Sequence, residues 1–287
     1  MLRGRAGLAS VAVAAATLAT ACASGPQAGG PELDGESPVH YVALGDSYTS
    51  APGTGRPVGS PGGCDRSDNN YPHLVAAALK PDTFVDTSCG GATTEHLTRP
   101  QQTADGTNPP QLNAVTPDTT LVTVGIGGND VGLVELAGQC AEVAADGGEC
   151  GESAAVEDRV GNTVAAVASA VRAVRDKAPE ARVLVVGYPA ILPGDPAACA
   201  DVLPHAPGDL AALREGLDLL NHVLEQQANT HGAEFVDTTS ATAKHHLCAA
   251  EPWIEGLEST TGAAPLHPTA AGERAMADAV LAALGQR

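Results

Sequence analysis

The sequence predicts an α/β fold: a doubly wound, five-stranded parallel sheet with helices on both faces, in three α/β/α layers of flavodoxin-like type. Three observations predict it. Short apolar runs alternate with longer stretches of helical spacing after residue 39, and that alternation marks βαβ units. The run Leu121–Ile126 is apolar but for Thr123 and carries no charge, which fits a strand covered on both faces. Three runs lead into Asp46-Ser47, Gly90-Gly91 and Gly128-Asn129, and ligands of such sheets sit outside the carboxyl ends of the strands.

The elements follow in order. Tyr41–Leu44 is the first strand, breaking at Gly45 so that Ser47 stands where a helix can start. A Gly/Pro-rich loop spans Ala51–Gly63, and Tyr71–Leu79 reads as a helix. Thr83–Asp86 is a second strand running into Ser88-Cys89-Gly90-Gly91, and Leu121–Ile126 is the third. The segment after Asp130, with Cys140 and Cys150, reads as a loop. From Ala154 to Lys177, Val156, Val160, Val164, Val167, Val171 and Val174 form one helical stripe, and Pro179 stops it. Arg182–Val186 is the fourth strand. Leu210–Thr230 is a helix with Leu213, Leu217, Leu220 and Leu224 on its face. Glu234–Asp237 is the fifth strand, and Ala270–Leu284 closes the chain as a helix.

The amino terminus stands apart from this pattern. Arg3 and Arg5 precede a short apolar run of small residues from Leu8 to Ala19. That run is too short for a comfortable membrane span, so residues 1–22 read as a signal peptide. Leu18-Ala19-Thr20-Ala21-Cys22 resembles a lipobox, which makes Cys22 the expected lipidated first residue and a membrane anchor. The alternative is plain secretory cleavage near Ala21 or Ala23. Residues 23–38 hold almost no apolar surface and read as a flexible tether, leaving 39–287 as the domain. The expected location is the cell surface or the extracellular space.

Seven cysteines fit export, where disulfides form. Setting Cys22 aside leaves six. Pairing in sequence order gives Cys64–Cys89, Cys140–Cys150 and Cys199–Cys248, one of 15 possible connectivities. No Cys-x-x-Cys occurs, so structural zinc is not expected, and no metal or cofactor is expected at the site. A formal charge of −19 disfavours a nucleic-acid partner, because phosphate binding calls for Lys and Arg. The chain is expected to act as a monomer on a small-molecule substrate.

Four short blocks occur in order: Gly45-Asp46-Ser47-Tyr48, the Gly91 turn, Gly127-Gly128-Asn129-Asp130 and His267-Pro268. They resemble the four blocks of the SGNH hydrolases, or GDSL esterases and lipases, over about residues 40–285. The cysteines and the run Ser88-Cys89-Gly90-Gly91-Ala92-Thr93-Thr94 look like the secreted actinobacterial lipase and esterase branch, whose three disulfides join in sequence order. The resemblance implies carboxylic-ester hydrolysis, with Ser47 as nucleophile and His267 as general base. It implies an oxyanion hole made of the Ser47 and Gly91 N–H groups and the Asn129 side-chain amide. Lipid acyl esters are the expected substrates. A carbohydrate or polymer-ester deacetylase uses the same machinery, and a non-catalytic ligand-binding lipoprotein is a reading of another class.

One position departs from the family pattern. Many members carry an acid three residues before the histidine, and here that residue is Ala264. Some members of the branch use a backbone carbonyl instead. The Ala264 carbonyl, or one beside it, is therefore the expected partner of the imidazole, with Glu255 or Glu258 folding back as the rival. Asp46 and Asp130 read as structural hydrogen-bond partners. Trp253 reads as packing under its loop, and His245-His246 as a solvated turn. Gly53-Thr54-Gly55 follows no strand directly and makes no dinucleotide fingerprint. The absence of Gly-x-Ser-x-Gly argues against the α/β-hydrolase elbow.

Overall fold

The computed structural model describes residues 37–151 and 153–286, together with Met1. The signal segment, Cys22 and the tether up to residue 36 lie outside the described residues. In chain order the elements are β1 (His40–Gly45), α1 (Ser47–Ser50), α2 (Tyr71–Leu79), β2 (Thr83–Asp86), β3 (Gln101–Thr103), β4 (Gly106–Asn108) and β5 (Leu121–Gly125). Then come α3 (Gly128–Val131), α4 (Leu133–Ala145), α5 (Ser153–Lys177), β6 (Arg182–Val186), α6 (Pro207–Thr230), β7 (Glu234–Val236), α7 (Thr239–Thr242) and α8 (Ala270–Ala283).

The main sheet is parallel throughout and ordered β2-β1-β5-β6-β7. The chain goes outward from β1 to β2 and then crosses to β5, so strand order reverses between β1 and β5. A cleft opens at that point, outside the carboxyl ends of the strands. β3 and β4 form a small antiparallel hairpin apart from this sheet.

Alternate residues of each strand feed two cores. Val42, Leu44, Val122, Val124, Val183 and Val185 pack against the valine stripe of α5 from Val160 to Val174 and against Leu217, Leu220 and Leu224 of α6. Of that stripe Val164 alone is only half-buried. On the opposite face Tyr41, Ala43, Leu184, Val186 and Val236 meet Tyr71 and Val75 of α2 and Met276, Ala277 and Val280 of α8. The helix ends have local causes. The Asn70 side chain caps α2 by accepting from the His73 N–H at 3.0 Å, and Lys80 in the left-handed region closes it.

The segment expected as a loop after Asp130 is instead α4, which corrects that reading. Leu133, Leu136, Ala137 and Cys140 recur at helical spacing, and the last three are buried. The flanking glycines at 127, 128, 132, 147 and 148 hide the pattern in the sequence. α4 covers a third, smaller core of Leu192, Leu203, Leu210, Leu213, Leu247 and Leu266, above the carboxyl edge of the sheet. Three disulfides brace these outer segments: Cys64–Cys89, Cys140–Cys150 and Cys199–Cys248. Among the described residues no helix is long and apolar enough to cross a membrane.

Candidate active site

β1 delivers the serine. A Cβ on Gly45 would lie 2.2 Å from Thr49 Oγ1 and 2.6 Å from the Gly125 carbonyl, so only glycine lets the chain turn there. Asp46 caps the short helix α1, its Oδ1 accepting the Tyr48 N–H at 2.9 Å. Ser47 is thus the first residue of α1, half-buried at the cleft. Among the described residues nothing accepts its N–H.

The histidine comes from the other end of the chain. Ser47 Oγ lies 2.7 Å from His267 Nε2. His267 Nδ1 lies 2.7 Å from a carbonyl oxygen. A carbonyl only accepts, so Nδ1 carries the hydrogen and Nε2 presents a lone pair to the serine hydroxyl. That carbonyl belongs to Pro265, so the partner is the neighbouring carbonyl that the expectation also allowed and not Ala264 itself. The Ala264 oxygen is taken by the His267 backbone N–H at 3.1 Å. Leu266 adopts φ 63°, and this left-handed step turns the Pro265 oxygen towards the ring. Such a conformation costs a leucine about 1–3 kcal/mol.

Neither glutamate reaches the imidazole. Glu258 is exposed. The buried Glu255 carboxylate accepts four hydrogen bonds, from the N–H and hydroxyl groups of Thr260 and Thr261, at 2.6–3.0 Å. Burial pushes its pKa up, but those bonds outweigh it and hold the group at about 2. Glu255→Ala is expected to lower the melting temperature, by a loss of about 1–3 kcal/mol for the stranded donors, and to leave kcat within about threefold of wild type. Glu258→Ala is expected to change neither. Parallel melting curves and ester turnover check both; a collapse of kcat in either variant would restore a side-chain acid as third member.

A network of hydrogen bonds joins the Gly91 and Asn129 segments. The Gly91 turn is held from two sides: Cys89 in its disulfide to Cys64, and the Gly90 carbonyl by Gln101 Nε2 at 2.7 Å. Gly91 has φ 72° and is exposed, and among the described residues no acceptor takes its N–H. Asn129 Nδ2 donates to the Ala92 carbonyl at 2.9 Å, bringing the Asn129 amide beside that turn. Asp130 accepts the Thr94 N–H at 2.9 Å and its hydroxyl at 2.5 Å, locking the same two segments together. Ser47 and Asn129 line one cleft, with Asp46, Tyr48, Gly128 and Tyr188; Gly91 lies outside that lining.

Tyr188 is a site residue that the sequence reading missed. Its hydroxyl donates to Asp46 Oδ2 at 2.5 Å and accepts the Gly128 N–H at 2.6 Å, so it ties the serine turn to the Asn129 turn. The available signal was its place directly after β6, at the same sheet edge as the other blocks. Burial lifts the Asp46 pKa to about 7, against the pull of the bonds from Tyr188 and Tyr48.

Other candidates fall away from the site. Trp253 stacks on His245 with ring centroids 3.5 Å apart. Cys199, His246 and Cys248 lie close enough together to suggest a metal site, but both sulfurs are already joined in a disulfide. Cys22 lies outside the described residues.

Burial holds the His267 pKa below the ordinary 6.5, and the Pro265 carbonyl opposes that shift. Protonated imidazole cannot take the serine proton, so activity falls as pH drops through this pKa. The acid limb of kcat/KM is therefore expected below pH 6.5. The limb should persist in Asp46→Asn, which removes the nearby carboxyl; its disappearance there would assign the titration to Asp46.

The model of the GDSL-like lipase/acylhydrolase family matches residues 43–275. The chain belongs to this family. It is a carboxylic ester hydrolase of the GDSL type. Lipase 2 of Streptomyces coelicolor is 38% identical to it over 285 residues, spanning 94% of this chain and 91% of that protein. Among solved structures, the extracellular lipase of Streptomyces rimosus superposes with a TM-score of 0.71 at 32% identity, covering 85% of this chain and 99% of that one. Phospholipase A1 of Streptomyces albidoflavus gives 0.68 at 31%, covering 86% and 99%. The matched residues include every block of the candidate site and all of the sheet but the start of β1.

Proposed function

We propose that the protein cleaves carboxylic esters of lipid acyl chains through an acyl-enzyme on Ser47. The observation that carries this is the 2.7 Å contact between Ser47 Oγ and a His267 whose other nitrogen is fixed by a carbonyl. Nε2 takes the hydroxyl proton as Oγ attacks the ester carbonyl. The oxyanion receives the N–H groups of Ser47 and Gly91 and the Asn129 amide. The imidazolium then returns its proton to the leaving alkoxide. A water, deprotonated by the same nitrogen, frees the acid and restores the serine. The Pro265 carbonyl fixes the tautomer with a dipole in place of a full charge, which makes the pair a dyad.

The acyl preference is argued from the wall beside the serine. A cavity of about 50 Å³ is lined by aliphatic residues of α4 and α6 and of the loop after β6, with His205 and Arg214 as its polar members. Leu133, Val134, Ile191 and Leu217 line both this cavity and the cleft at Ser47. An acyl chain leaving the cleft in that direction meets hydrocarbon, and each buried CH₂ contributes about 0.8 kcal/mol. The names of similar proteins, lipase and phospholipase A1, agree with this reading.

The test uses p-nitrophenyl esters of graded chain length. Turnover is expected to rise from acetyl to longer chains. A fluorophosphonate should label the protein and fail to label Ser47→Ala. Retained labelling would refute the nucleophile, and a preference for acetyl would point to deacetylation.

We also infer export. The charged and apolar start of the chain, the three disulfides and an extracellular relative support it. Residues 1–21 are removed, Cys22 becomes the first residue and carries the lipid, and 23–38 tether the domain of 39–287. Mass spectrometry of the mature N-terminus should find a diacylglyceryl Cys22; an unmodified start elsewhere removes the anchor.

A further inference from the structure

We propose that Tyr48 is a positioning residue for His267: its hydroxyl holds the Leu266 carbonyl, and so the left-handed turn that offers the Pro265 oxygen to the imidazole. The inference rests on His267 acting as the base.

A histidine side chain that bonds the carbonyl two residues before it needs a sharp turn between the two. Here that turn is Leu266 at φ 63°. A leucine does not choose this conformation by itself, since its Cβ crowds the backbone. The turn must be held from outside. Its backbone ties are Leu266 N–H to the Gly256 carbonyl at 3.0 Å and His267 N–H to the Ala264 carbonyl at 3.1 Å. The remaining group, the Leu266 carbonyl, accepts from the Tyr48 hydroxyl at 2.8 Å. This bond is buried and crosses 218 positions of sequence. No other side chain among the described residues bonds the backbone of Leu266.

Tyr48 acts on the ring as well. Its aromatic face lies against the imidazole, with centroids 4.5 Å apart and planes 29° apart. That face attracts the positive charge the imidazole acquires during attack. Burial, with Asp46 adding to it, keeps the phenol protonated and therefore a donor across the working pH range. Tyr48 also follows Ser47 directly, and its N–H is fixed by Asp46. One side chain therefore sets the base against the nucleophile from the nucleophile's own helix. It compensates, through geometry, for the carboxylate this chain lacks at position 264.

The test is Tyr48→Phe, which keeps the ring and removes the hydroxyl. Ester kinetics are measured across pH, with a melting curve for the fold. The expected result is a fall in kcat of about tenfold, the scale of one buried hydrogen bond, with KM within about twofold. The acid limb should also move to lower pH, because a weaker bond to the Pro265 carbonyl removes what raises the His267 pKa. Unchanged kcat overturns the proposal. So does a fall in kcat with the limb unmoved, which is what a merely structural tyrosine would give. Should the phenylalanine variant not fold, Leu266→Gly loosens the same turn, and its limb must move in the same direction or the proposal fails. His267→Ala separates this from the parent reading: activity surviving there removes the base, whatever Tyr48 does.

Discussion

Ser47→Ala is expected to lower kcat on p-nitrophenyl esters by about 10⁴- to 10⁶-fold, leaving the melting temperature near that of wild type. The hydroxyl bonds His267 and no other described group, so its loss frees a single acceptor, His267 Nε2. Alanine is also tolerated at the start of a helix held by the Asp46 cap. His267→Ala should cost a similar factor, because the serine proton then has nowhere to go. The double variant should be no worse than either single one, since each removal disables the same unit. Steady-state kinetics on the three variants, beside their melting curves, check this. Losses that multiply would mean the two side chains act independently, and the dyad would have to be abandoned.

Asn129→Ala carries the next largest effect, a loss of about 100- to 1,000-fold in kcat with KM little changed. One hydrogen of Asn129 Nδ2 is committed to the Ala92 carbonyl. That bond aims the amide, and in the proposed oxyanion hole the second hydrogen meets charge developing on the substrate oxygen. Removal therefore costs a transition-state donor and loosens the Gly91 turn together. Asn129→Asp, equal in size but bearing negative charge where a donor stood, should be at least as damaging. A variant of normal kcat and raised KM would make Asn129 a ground-state binder instead. Single-turnover acylation by a chromogenic ester distinguishes the two.

The sheet was legible because its central strands, β1, β5 and β6, are apolar runs that end in or lead into glycine, a pattern that burial on both faces imposes. The long helices α5 and α6 were legible from one apolar stripe each. α4 was not, since glycines on both sides mimic a loop while its buried side, Leu136, Ala137 and Cys140, is short. Ser47, Gly91, Asn129 and His267 stand out as residue types at strand ends or before the last helix. The partner of the imidazole does not. Whether Ala264 or Pro265 supplies the oxygen depends on the sign of φ at Leu266, and nothing in the letter Leu announces a left-handed residue. Tyr188 escaped for a related reason: its value lies in two partners, Asp46 and Gly128, that are distant in sequence and meet only in the finished fold.

Ser47 and His267 stand 220 positions apart, on either side of every strand after the first. A ribosome-bound chain therefore carries its nucleophile long before its base exists. On the proposed mechanism, stalled products and carboxyl-terminal truncations carry the nucleophile without the imidazole, so hydrolysis waits for a chain synthesised to its last helix.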